Sequence, residues 1–350
     1  MRPRDAQVRA ALSEQAVLGR FSRRLWAIPR TRVGVVGWPA TTIERLALRW
    51  HYWWQAHLLD CLVDAELRSP SRARARLAKA LVRGNLIRNG FGFTNRYYDD
   101  MAWWALALHR ANQTFGARYR LGPILRACRA AIRPDGAIPW RRGDSFLNAP
   151  ANGPVAILLA RTGHRGPAGD MAEWVHQHLL LDSGLIADGV VEKDNQFVRD
   201  ETLYTYCQGV MLGAELELDS PQSAQRVENL VQAVSEHLAK DGVIVGHGGG
   251  DGGLFSGILA RYLALVATRA SSAGARRMAA GLILASADAV WEMSADPGDG
   301  WPLFGHQWNL PAVVPRAGRV SPDAGAIERD LSVQLSGWML MESAALLGRR

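Results

Sequence analysis

Apolar residues recur along most of the chain at intervals of three and four, the repeat of one face of an α-helix. The pattern predicts helices over about 7–27, 41–67, 72–89, 98–113, 117–132, 147–161, 168–180, 200–216, 221–238, 252–269, 274–292 and 326–347. Ala, Leu and Arg supply helix propensity, and Gly, Pro, Asp and Ser punctuate the joins. Thr41 and Ser220 stand where N-caps belong, and Pro221 occupies a first helical position. Strand-like runs are short, at 185–191 and 242–245. The helices are of two kinds. Residues 102–108 (AWWALAL) and 155–160 (VAILLA) are apolar all round and call for burial on every side, whereas 71–86 is polar along one face. Alternation of buried and half-exposed helices, with no βαβ rhythm, predicts an all-α toroid of stacked helical hairpins with an inner and an outer ring. No boundary divides the pattern, so 1–350 reads as a single domain, with 1–40 its first helix or an N-terminal extension. The irregular stretches 134–147, 241–251 and 294–325 are long enough to be functional loops.

Composition adds two features. Thirteen tryptophans outnumber the seven tyrosines and the eight phenylalanines, and the net charge is +8. Only three basic residues are lysines, Lys79, Lys193 and Lys240; the arginines are spread along the chain with small clusters at 23–24, 72–76 and 141–142. With no nucleic-acid motif beside them they read as solvated helix faces, and no nucleic-acid partner is expected. Cys61, Cys128 and Cys207 are far apart and read as buried thiols of a reducing compartment. The first 26 residues lack an apolar h-region and a small-residue cleavage site, and no run of 18 apolar residues occurs. The chain is therefore expected to be cytoplasmic, with no membrane span.

The chemistry gathers in residues 95–104, Asn95-Arg96-Tyr97-Tyr98-Asp99-Asp100-Met101-Ala102-Trp103-Trp104. Two adjacent carboxylates precede a wholly apolar helix. Capping and the helix dipole explain one Asp there; a pair wrapped in four bulky aromatics is harder to explain that way. Consecutive helical residues diverge by about 100°, so both carboxyls can face one cavity. Retaining glycoside hydrolysis uses two carboxyls about 5–5.5 Å apart, one nucleophile and one acid/base. On these residues alone, a cap plus a salt bridge stays the simpler reading, with paired catalysis as its rival.

Tyr97-Tyr98-Asp99-Asp100 followed by Ala102-Trp103-Trp104-Ala105-Leu106-Ala107 resembles the signature of glycoside hydrolase family 76, the endo-α-1,6-mannanases. Residues 204–214 (YTYCQGVMLGA) resemble the family's Tyr-Asn-Gln-Gly-Val segment, with Cys207 where Asn is usual. Residues 248–258 resemble its Gly-rich loop running into the Phe-Lys-Gly helix, with Ser256 in place of Lys, and Gln334–Trp338 resembles its last inner helix. The pieces occur in family order from about 45 to 347. The resemblance implies an (α/α)6 toroid with a cleft at one end. It further implies retaining hydrolysis of α-1,6-mannosidic bonds in mannan-type glycans, with Asp99 as nucleophile and Asp100 as general acid/base. Neither a metal nor a cofactor is expected.

Around that pair Tyr97, Tyr98, Trp140 and Trp301 are expected to offer ring faces to sugar C–H surfaces, and Gln208 and Asp251 to hydrogen-bond sugar hydroxyls. Trp50, Trp53, Trp54, Trp103 and Trp104 fall at helical spacing and read as core. Gly248-x-Gly250-x-x-Gly253 fits a dinucleotide fingerprint formally, but 265–287 holds no acidic residue to complete it. His176 and His178, two apart on a helix, point to different faces and read as surface rather than metal ligands. Two other enzyme readings use the same scaffold: a mannosyl transglycosylase, and a sugar epimerase or isomerase, for which the loop histidines His247 and His306 are the only support. A non-catalytic glycan-binding protein would not call for the Asp99–Asp100 pair.

Overall fold

The computed structural model describes residues 2–193, 196–315 and 327–349. Among them lie helices α1 (Pro3–Phe21), α2 (Thr42–Arg45), α3 (Tyr52–Arg68), α4 (Arg72–Arg88), α5 (Tyr98–Phe115), α6 (Gly122–Arg129), α7 (Ala149–Arg161), α8 (Arg165–Leu179), α9 (Thr205–Leu218), α10 (Pro221–His237), α11 (Phe255–Arg269), α12 (Ala273–Glu292) and α13 (Leu331–Leu347). Helices α3, α5, α7, α9, α11 and α13 each pack on the next, and α13 packs back on α3, closing a ring. Outside it α4, α6, α8, α10, α12 and α1 lie against α3, α5, α7, α9, α11 and α13 respectively. The architecture is the (α/α)6 toroid, and α1 is the outer partner of the last inner helix.

The two rings follow from the two kinds of sequence. Nearly every side chain of α7, α9 and α13 is buried, as their apolar circumference requires, while α4 buries only one stripe. Trp54, Trp104 and Trp338, on three inner helices, are among the largest side chains fully withdrawn from solvent. Close helix approach is enforced where no side chain fits: a Cβ on Gly257 of α11 would fall 2.6 Å from the Ser336 Cα of α13.

Buried charge sits inside the ring. Asp60 and Asp64 of α3 are bridged by Arg110 of α5 and by Arg261 of α11, whose Nη atoms lie 2.8 Å from Asp60 and 2.7 Å from Asp64. A cavity of about 190 Å³ adjoins this cluster and reaches His57 and Trp103.

The structure redraws several predicted boundaries. The helix expected over 41–67 is interrupted: α2 is a single turn closed by a Thr41–Glu44 capping box, Ala47 turns left-handed at φ 52°, and α3 starts only at Tyr52. Trp50 and His51 thereby leave the helix and stand at its N-terminal mouth. The helix expected from 200 begins at Thr205 instead, because Gln196–Asp200 is the third strand of an antiparallel sheet with Phe146–Asn148 and Gly189–Lys193. Every residue of that strand is exposed, so it carries no buried-face alternation to reveal it. Part of the irregular stretch read over 294–325, from 316 onward, lies outside the described residues, as does residue 326 of the last predicted helix.

Candidate active site

The N-terminal ends of the inner helices open together into one cleft of about 610 Å³. Its walls come from five of the six segments that enter the ring: Trp50–Trp53 before and in α3, Asn95, Tyr97, Asp99 and Asp100 at α5, Phe146 and Asn148 at α7, Tyr204 and Tyr206 at α9, Asp251 and Phe255 at α11. Inner-helix N-termini direct their unpaired backbone N–H groups toward this end, which favours carboxylates there.

Asp99 and Asp100 occupy the first turn of α5 and both line the cleft. They are held differently. The Asp99 carboxylate accepts the Asp100 backbone N–H on Oδ1 at 2.8 Å and the Trp140 indole N–H on Oδ2 at 3.0 Å. Asp100 accepts a single side-chain hydrogen bond, from Asn95 Nδ2 at 2.6 Å. Burial raises the pKa of both above the ordinary carboxylate range. Hydrogen bonds offset part of that rise at Asp99, whereas the neighbouring Asp99 charge adds to it at Asp100. Asp99 therefore ionises first, and Asp100 keeps its proton. That is the division of labour a nucleophile and a general acid need.

The loop between α6 and α7 is stitched to the start of α5, which puts Trp140 over Asp99. The Tyr98 N–H donates to Trp140 O at 2.9 Å, the Trp140 N–H to Phe146 O at 2.8 Å, and Tyr97 bridges to Arg141. The Tyr97 and Trp140 rings then meet edge to face at 5.1 Å. Because the indole N–H stabilises only the ionised form of Asp99, Trp140→Phe is expected to raise the Asp99 pKa by about one unit. The acid limb of the kcat/KM profile should move to higher pH by that amount while the basic limb stays in place. A pH–rate profile in which the acid limb does not move would show that Trp140 does not tune Asp99.

Across the cleft, Asp251 accepts hydrogen bonds from the Trp53 and Trp54 indoles at 2.9 and 2.8 Å, and His51 Nδ1 lies 3.8 Å away. The glycine-rich segment before it serves this placement. A Cβ on Gly252 would fall 2.2 Å from the His247 carbonyl oxygen, and Gly250 takes φ 59° while its N–H donates to Asp330 Oδ2. The loop folds on itself rather than cradling a phosphate. Tyr206 and Phe255 stack at 3.8 Å with nearly parallel rings, forming another apolar wall.

Tyr97, Asp99, Asp100, Trp140 and Asp251 are thus gathered in the cleft as expected. Three expected residues are elsewhere. Tyr98, the first residue of α5 after the extended N-cap Tyr97, turns into the core and is 7% exposed. Gln208 is fully buried, and its amide is used by Ile186 N–H, Ile186 O and Tyr204 O. Trp301 packs its ring on α1, where a Cβ on Gly19 would sit 2.4 Å from it, and Arg20 holds its carbonyl. Trp308, further along the same irregular stretch, is buried. In the other direction, Trp50, Trp53 and Trp103 line the cleft although their spacing suggested core.

Asp188 carries no local motif, yet it lines the cleft. Its backbone is held by Ala149 N–H and Thr202 O, and its Oδ1 accepts Cys207 Sγ–H at 3.7 Å. Burial raises its pKa to about 6. Ser256 is spent on the Val245 carbonyl at 2.7 Å. His247 is pushed down to about 4 by burial and accepts the Thr205 N–H, and His306 pairs with Glu328. Neither lines the cleft, so the two loop histidines on which the epimerase reading rested face other partners. Among the described residues no group of three His, Cys, Asp or Glu side chains is placed to hold a metal, and no helix is long and apolar enough to cross a membrane.

Residues 133–322, more than half of the chain, match the profile of glycosyl hydrolase family 76. The chain belongs to this family. The matched segment begins downstream of the aspartate pair, and structural likeness extends over the rest. The α-1,6-mannanase of the family from Salegentibacter sp. HEL1_6 superposes with a TM-score of 0.84 at 24% identity, covering 98% of this chain and all of that one. A Listeria innocua protein gives 0.82 at 25% identity over 99% and 98% of the two chains. A family 76 mannosidase of Bacteroides thetaiotaomicron gives 0.75 at 15% identity over 99% of each. No curated protein matches the sequence.

Proposed function

We propose that this family 76 chain hydrolyses α-1,6-mannosidic linkages with retention of configuration, using Asp99 as nucleophile and Asp100 as general acid/base. The observation that carries the proposal is the unequal environment of two adjacent buried carboxyls in an aromatic-walled cleft. Support comes also from the Salegentibacter relative, which is inactive when two consecutive aspartates are replaced by asparagine, a form captured with α-1,6-mannotriose.

In the first displacement Asp99 attacks the anomeric carbon of the mannosyl unit, and the C1–O bond to the leaving sugar breaks. Asp100 gives its proton to the departing O6 as that bond lengthens. The product is a mannosyl ester of Asp99 with inverted configuration, and Asp100 is now ionised. Water then enters; Asp100 takes its proton, the hydroxyl adds to C1, and the Asp99 carboxylate leaves. Two inversions give net retention. Trp140 and Asn95 orient the two carboxyls, and Tyr97, Trp53 and the Tyr206–Phe255 wall offer faces to the sugar rings. Asp251 and Asp188 face the same space and can accept hydroxyl hydrogen bonds. An acceptor sugar bound in place of water would receive the mannosyl unit instead, which is the transglycosylase form of the same chemistry.

The test is incubation of the purified protein with α-1,6-mannotetraose, following products by NMR with and without added acceptor. Shorter α-1,6-mannooligosaccharides released first as the α-anomer are expected. Release of the β-anomer would refute the double displacement, and absence of turnover on α-1,6 linkages alongside turnover of another mannoside would refute the linkage.

A further inference from the structure

Two acid-free stretches of the chain are rich in basic residues. Between Glu14 and Glu44 there are five arginines, and between Glu66 and Asp99 there are seven arginines and one lysine. The fold lays these stretches against each other: the Arg32 N–H donates to Ala80 O at 2.8 Å, and the Arg32 carbonyl lies within 2.1 Å of where a Cβ on Gly84 would be. Several of the cations are neutralised, Arg20 by Asp299 and Arg68 and Arg74 by Glu14. Six of the others converge. Arg24, Arg30, Arg32, Arg76, Lys79 and Arg83 line a groove of about 660 Å³ in which no Asp or Glu takes part. The charges of Arg32 and Arg45 add to burial in lowering the pKa of nearby Arg23, a mark of unrelieved positive potential.

Large apolar side chains stand exposed beside the groove: Trp26 at 47%, Leu46 at 47%, Leu48 at 60% and Phe91 at 77%. Trp26 and the 46–48 segment are tied to the end of α4, and Phe91 follows that end by three residues. Arg88, further along α4 from Arg83, lies 5.9 Å from the Trp26 ring centroid and 4.9 Å from that of Trp50, and donates to Ala47 O. The Trp26 indole in turn donates to Leu46 O at 2.7 Å. The surface therefore runs from the basic groove, through Arg88 and the exposed apolar side chains, to Trp50 on the rim of the cleft.

We propose that this face docks on the anionic headgroups of a lipid bilayer, with the groove cations against phosphate and Trp26, Leu46, Leu48 and Phe91 entering the interface beside the cleft mouth. Cations flanked by exposed Trp, Leu and Phe suit an interface that is charged outside and apolar within. A soluble polyanion would use the cations and leave the apolar side chains idle. The groove lining also offers a single-stranded nucleic acid no aromatic platform, since its remaining residues are Thr31, Ala73, Leu77 and Ala80. The inference does not depend on the glycosidase reading.

Flotation with unilamellar vesicles tests it on the full chain. At roughly 0.1 M salt the protein is expected to float with phosphatidylcholine vesicles carrying about one-third phosphatidylglycerol, to stay behind with phosphatidylcholine alone, and to dissociate as salt rises. Each cation removed should weaken binding about five-fold, so Arg76→Glu/Arg83→Glu should lose at least about 25-fold. Both positions are exposed on α4, away from the cleft, and hydrolysis of soluble mannooligosaccharide should not change. Phe91→Ser should weaken vesicle binding while leaving heparin binding untouched. Absence of flotation with anionic vesicles, or an undiminished affinity in Arg76→Glu/Arg83→Glu, would overturn the proposal. Equal loss of heparin and vesicle binding only in the charge variant, with Phe91→Ser unaffected, would also overturn it and assign the groove to a soluble polyanion.

Discussion

Asp99→Asn is expected to abolish turnover of α-1,6-mannooligosaccharides, lowering kcat on the order of 10^4-fold or more, while the circular dichroism spectrum and melting curve remain those of a folded toroid. An amide at position 99 does not form the glycosyl ester, so the first displacement is lost. Asp100→Asn should cost about 10^2- to 10^4-fold on the same substrates, the usual worth of a positioned acid/base. The two variants separate on an activated substrate. With a 2,4-dinitrophenyl mannoside the leaving group needs no proton, so Asp100→Asn should form the glycosyl enzyme rapidly and accumulate it, and azide should then release it. Asp99→Asn should remain inactive on that substrate. The reverse outcome would exchange the two roles, and full activity of either variant on mannotetraose would remove the pair from the mechanism. The wild-type profile should fall on the acid side as Asp99 is protonated, at a pH above the ordinary carboxylate range because burial raises that pKa. Loss on the basic side should come as Asp100 ionises, which its burial and the Asp99 charge postpone to higher pH.

Arg261→Leu is expected to be the most damaging substitution away from the cleft, costing about 3–5 kcal/mol and lowering Tm by roughly 4–7 °C. Arg261 bridges both Asp60 and Asp64, and its removal leaves two buried carboxylates sharing Arg110 alone. The effect has a definite pH dependence. In the wild type, Arg110 and Arg261 outweigh the burial penalty and hold the Asp60 pKa below its ordinary value. That contribution is present above the unfolded carboxylate pKa, near 4, and is lost as pH falls through the depressed folded value. Without Arg261, burial regains ground and the Asp60 pKa rises, so protonation relieves the variant. The stability gap should be widest at neutral pH and narrow toward pH 4. Thermal melts across that range read the gap directly, and an equal gap at both ends would show that packing rather than charge underlies it.

Much of the architecture is legible in the chain because burial demands are written residue by residue. The all-apolar circumference of α5 and α7 can be satisfied only inside a ring, and the one-sided polarity of α4 only outside it. Local chemistry is legible where it is contiguous: the adjacent carboxylates and their aromatic neighbours at 97–104 lie within about two helical turns, so their proximity needs no tertiary information. The strand Gln196–Asp200 was hidden because neither of its faces is buried. The interrupted helix at 41–67 was hidden because apolar spacing continues across the left-handed turn at Ala47.

The cleft membership of individual side chains followed a different logic. Tyr97 and Tyr98 are indistinguishable by type, and the change from the extended N-cap at Tyr97 to helix at Tyr98 sends one to the cleft and the other to the core. Trp140 and Trp301 both lie on irregular loops, yet one loop is tied to α5 and the other to α1. Asp188 has no motif and enters the cleft through backbone hydrogen bonds to α7 and to the strand region after 200. By itself the sequence determined the ring of paired helices and set the two aspartates side by side at the start of an apolar helix, since periodicity and adjacency are properties of the chain. Only the tertiary structure decided which tryptophans meet the cleft, how differently the two carboxyls are held, and that scattered arginines form one acid-free face. Those outcomes depend on closure of α13 against α3 and on the packing of segments distant in sequence, and no local spacing encodes where such segments meet.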